Sequence, residues 1–350
     1  MITDEDRTRA LGRRVMPSAD AGILNGGSTY WDIVGGHDAG RAALDFYARR
    51  YRHTDEAGWR AAIISGRVLR DGVSLAPETR LAAGDRLAYR RPPWREPPAP
   101  RAFDVLHEDD AVLAVAKPAG LPVLPGGGFL ESTLLRLVRA AAREGAGDAG
   151  RDAWSPVHRL GRGTSGIVLF GKSSAACRAL SEELRSRRAL KIYLGIADGL
   201  VQPGSFVARF PIGLVEHPPI GAVHASTPDG KTAETRFRVL ARDATAGLSL
   251  VLARLVTGRP HQIRIHLAAS GFPLEGDPFY ARGGGILAAN PATGHTPRIG
   301  DCGYRLHAWR ARLSHPDGRS TLAIRAPIPP AFFAGTEWSE PGECSSEPSD

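Results

Sequence analysis

Val157-His158-Arg159-Leu160-Gly161-Arg162-Gly163-Thr164-Ser165-Gly166 runs directly into Ile167-Val168-Leu169-Phe170. The first part is polar, turn-forming and doubly basic; the apolar run after it reads as a buried strand. A glycine-rich, arginine-bearing loop at the edge of a buried strand can present polar groups rigidly to a ligand. It is not a phosphate-binding P-loop, because it precedes a strand and lacks the Gly-Lys-Ser/Thr ending. Alone, such a loop is equally an ordinary turn. Its meaning comes from a second segment far along the chain.

That segment is Leu255-Val256-Thr257-Gly258-Arg259-Pro260-His261-Gln262-Ile263-Arg264-Ile265-His266-Leu267-Ala268. Pro260 suits a helix start and Gly271 a helix end, which predicts a helix over 260–270. Its first-turn amides, with Arg259, would face an anion. Gln262 and His266 stand one turn apart while Arg264 faces elsewhere. One of these faces must be buried, so one polar group is expected inside with its hydrogen bonds met.

Outward from these segments the chain divides at Pro92-Pro93-Trp94-Arg95-Glu96-Pro97-Pro98-Ala99-Pro100, a stiff extended stretch. Residues 1–35 lack a clear period and read as a loose lead-in. Residues 36–92 form a first domain: a helix over 39–50, a second capped by Thr54 and stopped at Gly66, then short strands about Asp71-Gly72 and Ala83-Gly84-Asp85. Residues 93–102 are the linker, and 103–335 the larger domain.

Within the larger domain a strand over 111–116 ends at the turn Lys117-Pro118-Ala119-Gly120. Helices are expected after caps at Ser132 and Ser173, and strands over 190–197, 235–240, 248–255, 306–309 and 321–324. Residues 204–231 read as a flexible excursion. Residues 336–350 are acidic and serine-rich and read as a disordered tail.

At 350 residues with 42% hydrophobic content the chain can bury a full core, and about two domains is the length expectation. No run is long and apolar enough to span a membrane, and Met1–Arg14 lacks the apolar region of a secretory signal. Cys177, Cys302 and Cys344 are too scattered for a disulfide framework or a zinc knuckle, which points to a reducing cytoplasm. His158, His261, His266 and His307 fit no metal-ligand spacing. The net charge of +8 and pI near 9.8 favour a polyanionic partner. With Lys117, Lys172, Lys191 and Lys231 the only lysines, that charge is nearly all arginine, suited to bidentate phosphate contacts and base stacking.

Taken in order, HRLGRGTSG followed by Leu169-Phe170, Lys191-Ile192-Tyr193, TGRPHQIRIHL with its trailing PLEGDPFY, and LHAWRARLSHPDGR resemble the RluA-type family of RNA pseudouridine synthases. DVLHEDDAVLAVAKPAGLPV is similar to that family's first strand and lysine-proline turn. The resemblance covers about 103–333, and residues 36–92 resemble an S4-type RNA-binding module. It implies an α+β fold: a mixed, largely antiparallel sheet with flanking helices, plus a small N-terminal S4-like α/β module. It also implies isomerisation of uridine to pseudouridine in ribosomal or transfer RNA, without metal or cofactor, by a cytoplasmic protein expected to be a monomer. The base must leave the stack, which costs a few kcal/mol.

Carried over residue by residue, the resemblance assigns Arg159 to base extrusion and Tyr193 to the face of the base. It assigns Arg264 to pairing with the catalytic carboxylate. His158, Arg162, Thr164, Lys117, Arg259, His261 and Gln262 are the expected RNA contacts in the larger domain, with Arg49, Arg60 and Arg67 in the smaller. One position departs. The family's loop reads His-Arg-Leu-Asp; here Gly161 takes the place of the catalytic aspartate, and Gly163 that of a common second acid. Plant organelle-type members are similar in spelling the loop HRLGRGTSG.

Three readings stay open. Another carboxylate, from Asp277, Asp301, Glu275 or Asp198, reaches the same space. The protein binds RNA without isomerising it. Or the reaction proceeds with Tyr193 and the RNA itself. An Arg264 left without a partner would give the site a net positive charge able to hold a phosphate.

Overall fold

A computed structural model describes residues 13–15, 22–51, 54–145, 153–217, 221–298 and 300–338. In chain order its elements are β1 (Arg13–Val15), β2 (Ser28–Ile33), α1 (Ala43–Arg50), α2 (Glu56–Ile64), β3 (Val68–Arg70), β4 (Val73–Ser74) and β5 (Arg86–Arg91). There follow β6 (Ala102–Glu108), β7 (Val112–Lys117), α3 (Leu134–Gly145), β8 (Ser155–Pro156), β9 (Ser165–Gly171), α4 (Ser174–Arg185) and β10 (Leu190–Asp198). The remainder are β11 (Ser205–Ala208), β12 (Ile212–His217), β13 (Gly221–Ser226), β14 (Thr235–Asp243), β15 (Leu248–Leu255), α5 (Gln262–Ala269), β16 (Leu306–Ser314) and β17 (Thr321–Arg325). Two compact units result, Gly22–Pro97 and a second made of Met1–Ala21 with Pro98–Asp350.

The smaller unit is a sheet in the order β2-β5-β3-β4 with α1 and α2 packed on it. Trp59, Tyr47 and Phe46 fill its core. It is wider than the 36–92 expected. Ser28–Ile33, read as part of a loose lead-in, is strand β2, paired along its whole length with β5. The start of the proline-rich stretch is likewise built into the unit rather than free: Asn25 donates to Glu96 Oε1 (3.0 Å) and accepts from Trp94 N (3.2 Å). Trp94 also stacks under Arg91 (3.6 Å). Short polar residues such as Asn25 tie distant chain only through tertiary contacts, which periodicity does not report. Asp55, not Thr54, caps α2 by accepting from Gly58 N.

The larger unit is built on an eleven-stranded sheet with the main path β1-β6-β7-β9-β16-β10-β15-β14-β11, β17 pairing with β16 and β8 with β9. All pairings are antiparallel except β9 with β16. This is the mixed, largely antiparallel α+β sheet expected. Its faces show period-two alternation: along β15, Leu248, Leu250 and Leu252 join one apolar cluster, Val251 and Ala253 another. Leu134, Leu137 and Val138 of α3 pack on the face that also carries Tyr193, and Ile263 and Leu267 of α5 join a cluster that Tyr193 shares. Leu180 of α4 covers a different cluster.

Two further expectations change. Thr133, one residue after Ser132, accepts from Arg136 N at the start of α3. The supposed flexible excursion over 204–231 contains β11 and the β12–β13 hairpin, a two-stranded sheet of its own paired from Ile212↔Ser226 to His217↔Gly221. Alternation there is disguised by histidines and prolines. Most of the expected acidic tail, 339–350, lies outside the described residues.

Candidate active site

The parallel joint fixes the site. β9 starts where the glycine-rich loop ends, with Ser165 beside His307 and Gly166 beside Ala308 of β16. Gly166 has φ +106°, and a Cβ there would lie 2.2 Å from the Ala308 carbonyl oxygen, so only glycine lets the two strands meet. Ser165 Oγ and His307 Nδ1 close the joint at 2.8 Å. On the other side of β16, Ile192 faces Arg310 while Tyr193 faces Ala308, so a bulge at Trp309 lies beside Tyr193. Bulges of this kind re-aim side chains next to functional sites. Tyr193 is half-buried between the cluster of Leu160 and Ala308 and that of Tyr304 and Ile263. Desolvation pushes its phenol up to about 12, so it acts as a neutral hydroxyl at pH 7.

α5 is buried all round: Gln262 and Arg264 are 3% exposed and His266 not at all. One polar group was expected inside; there are three, and Gln262 and Arg264 are fully engaged while His266 keeps one ring nitrogen, Nδ1, without a partner among the described residues. Gln262 accepts from Thr257 Oγ1 (2.7 Å) and Arg259 N (3.0 Å) and donates to the Glu234 carbonyl and Thr235 Oγ1 (both 2.9 Å). His266 pairs with the Phe210 carbonyl. Arg264 donates from Nε to Asp277 Oδ2 (2.8 Å) and from Nη2 to Oδ1 (2.7 Å), a bidentate ion pair. The guanidinium lies over the rings of Tyr304 (4.1 Å) and Tyr280 (4.9 Å). Burial is the largest single influence and works against its charge, but the hydrogen bonds and the negative charge of Asp277 together outweigh it and raise its pKa. Asp277 Oδ1 also accepts from Phe279 N and Tyr280 N, the turn chemistry of an aspartate before proline.

The expectation of an unpartnered Arg264 with surplus positive charge is therefore overturned, because Asp277 supplies the counter-charge. Of the candidate carboxylates, Asp277 alone pairs with Arg264. Glu275 is committed to Arg305, Asp198 to Arg282, and Asp301 to Asn290 and the Arg298 amide. The space that an aspartate at 161 would enter is not vacant. A Cβ on Gly161 would stand 2.8 Å from the Tyr304 hydroxyl, and one on Gly163 2.9 Å from the Tyr304 ring. Tyr304 fills both acidic positions of the loop, its hydroxyl 3.3 Å from Thr164 Oγ1.

His261 takes a left-handed backbone (φ 56°) ahead of α5. Tyr280 OH donates to the His224 carbonyl (2.8 Å), so it accepts from His261 Nδ1–H (2.8 Å), leaving a lone pair on Nε2. Burial, followed by the charge of Arg264, lowers the His261 pKa to about 3, and Arg159 adds to that field. Arg159 and Arg264, far apart in sequence, thus act on one imidazole. At the start of α5 the Gln262 N–H donates to the Arg259 carbonyl (3.2 Å), and the Gln262 side chain folds back to accept from Arg259 N.

The other predicted contacts separate into two groups. Arg159 is exposed, and Arg162 and Arg259 are half-buried, anchored at Nε to the Gly300 carbonyl (2.7 Å) and the Thr232 carbonyl (3.2 Å). These present cationic groups. Lys117, Gln262, Thr164 and His158 do not. Lys117, 1% exposed, donates to the carbonyls of Pro118 (2.8 Å), Leu121 (2.8 Å) and Arg162 (3.2 Å), clamping two turns together. His158 accepts from Leu169 N (3.1 Å), and burial lowers its pKa to about 4. Each was expected on RNA because it is polar beside a loop; each is used internally because the loop must be held. In the smaller unit Arg49 is exposed on α1, Arg60 pairs with Glu78 and Glu56 on the helical side, and Arg67 stands at the sheet. Among the described residues no group of three or more His, Cys, Asp or Glu comes together as a metal site.

Tyr304 and Tyr280 were missed. Asp277 stood in the Gly-Asp-Pro-Phe-Tyr motif without anything to favour it over its neighbours; Tyr304 has no sequence signal.

A family model described as RNA pseudouridylate synthase matches residues 111–269. An uncharacterized RNA pseudouridine synthase of Synechocystis is 38% identical over 290 residues, covering 83% of this chain and 95% of its own. The chain belongs to this family of isomerases. RNA pseudouridine synthase 5 of Arabidopsis thaliana, also of the family, is 37% identical, covering 88% of this chain and 94% of its own. The solved structure of human RNA pseudouridylate synthase domain containing 1 has the same fold: TM-score 0.50 at 22% identity, over 64% of this chain and 83% of that one.

Proposed function

We propose that this protein isomerises uridine to pseudouridine in a structured RNA, ribosomal or transfer, at the site bounded by Arg159, Tyr193, Arg264 and Asp277. The C1′–N1 bond breaks, the base turns, a C1′–C5 bond forms, C5 loses a proton and N1 gains one. No oxidant or cofactor enters this balance. Arg159, exposed on the loop, helps hold the extruded nucleotide, and Tyr193 offers it a flat face with one polar tip. The Gly22–Pro97 unit serves as an S4-like RNA-binding module, and the protein works as a cytoplasmic monomer.

One observation carries the reading: a carboxylate, Asp277, is fixed on Arg264 although position 161 is glycine. A second reading, RNA binding without isomerisation, is favoured by a different one. The Asp277 side chain is 1% exposed, and Oδ1 already takes three hydrogen bonds.

Tritium release from 5-tritiated uridine in ribosomal and transfer RNA separates the two. The first reading expects release by the wild type and a fall of about a thousand-fold or more in Asp277→Asn with RNA binding retained. Retained binding with no release by the wild type leaves only the second.

A further inference from the structure

The sheet of the smaller unit has a face that its helices do not cover. Tyr30 stacks on Tyr89, and Asp32 accepts from the Tyr51 hydroxyl, so the even positions of β2 turn toward the helical core. Alternation sends Thr29, Trp31 and Ile33 to the other face, with Arg86, Ala88 and Arg90 of β5 opposite them and Leu69 of β3 beyond. Trp31 is 68% exposed and Ile33 70%. Trp31 is registered against Ala88; Ala88 and Leu69 lie buried within the face (6% and 5% exposed), so what it offers outward is Trp31 and Ile33 with the arginines around them.

The charges on this face are unusual for a sheet. Arg90 N donates to the Arg67 carbonyl (2.8 Å), which sets these two arginines directly across from one another. Like charges so placed destabilise a strand pair unless an anion lies between them. Arg67, Arg86 and Arg90 are all exposed, and none has an ion pair or side-chain hydrogen bond among the described residues. The one acid at its margin among the described residues of these strands and their turns is Asp71, past the end of β3, whose N–H donates to the Arg86 carbonyl (3.1 Å); none stands beside Arg67 and Arg90. In the same unit Arg70 is paired with Asp85, Arg60 with Glu78 and Arg50 with Asp32.

We infer that this face binds single-stranded RNA, an unpaired base stacking on Trp31 and the flanking phosphates meeting Arg67, Arg90 and Arg86. The exposed indole supplies a sequence-tolerant stacking surface, and the unpaired arginines supply the charge complement. The inference rests on the RNA-directed reading above and adds a second contact, outside the isomerising site, for RNA that flanks the target.

The test uses full-length protein and a short oligoadenylate, which contains no uridine and so cannot report on isomerisation. Trp31→Ala is expected to weaken binding about 5- to 150-fold, the equivalent of 1–3 kcal/mol for one stacked base, and Trp31→Phe to retain most of it. Arg67→Gln with Arg90→Gln should flatten the salt dependence of log affinity by about 1.4, two single-strand phosphate contacts.

Equal oligoadenylate affinity for Trp31→Ala and wild type overturns the inference. So does a fall in apparent mass of Trp31→Ala in solution, which would mark the face as a dimer contact. Tritium release is measured in parallel. Loss of release with Trp31-dependent binding intact sinks the isomerase reading and leaves this one standing.

Discussion

Two cations are buried beside the loop 157–166, and their charges are accommodated by different means. Arg264 meets a full carboxylate, two-pronged, between two tyrosine rings. Lys117 meets no carboxylate; three backbone carbonyls surround its ammonium. The first arrangement holds the Arg264 guanidinium in its charged form. The second fixes a shape, since Lys117 holds the Pro118–Leu121 turn against Arg162, while its charge remains negotiable. A rigid ionic anchor and a neutralisable clamp thus both support the loop, one through Tyr304 and the other through the Arg162 carbonyl.

The largest effect is expected from breaking the ionic anchor. Asp277→Ala leaves a guanidinium buried without its counter-charge and should cost about 3–5 kcal/mol in urea denaturation. Arg264→Met together with Asp277→Leu should recover most of that loss, because removing both charges also removes their desolvation cost. A double variant no more stable than Asp277→Ala would mean that the pair is held by something other than mutual neutralisation.

Next comes the loop itself. Gly161→Asp forces a Cβ to within 2.8 Å of the Tyr304 hydroxyl and should destabilise by about 1–3 kcal/mol through overpacking. Tyr304→Phe deletes that oxygen, so the Gly161→Asp/Tyr304→Phe pair should be less destabilised than the sum of the two singles. A double-mutant cycle reads the coupling directly. Exact additivity within error would show that Tyr304 is not what excludes an acid from position 161.

These experiments touch the part of the site that reading the sequence did not reach. The loop and its strand were legible, because a polar turn against Ile167-Val168-Leu169-Phe170 has few alternatives. So were the central strands of the larger sheet, though not β1 or β11 at its ends, and the cap at Ser173, whose side chain accepts from Ala176 N. Gln262, Arg264 and His266 announced a buried polar face, but not that the helix is enclosed on every side, since polarity spread around a helix normally signals solvent. Tyr304 was invisible: its role depends on two glycines it meets only in space. Lys117 looked like a nucleic-acid contact for the ordinary reason that lysines rarely lie fully buried.

The smallest effect concerns Lys117 and separates the two cations by pH. Burial lowers its pKa from 10.5 to about 7, whereas that of Arg264 is raised. Between about pH 7 and 10.5 the unfolded chain therefore holds a proton that the folded chain has released. Stability contributed by this group rises with pH across that window, by up to about 1.4 kcal/mol per unit. Below it both states are protonated and the cost of burying the charge is present in full. Lys191, also lowered by burial, adds to the upper part of the same window, so the quantity to measure is wild type minus Lys117→Met. Urea midpoints from pH 6 to 9 should climb more steeply in the wild type; parallel curves would place the Lys117 proton elsewhere. Deprotonation should not loosen the turn. The neutral amine keeps two hydrogens for the Pro118 and Leu121 carbonyls, and the Arg162 carbonyl retains Gly120 N–H at 2.8 Å.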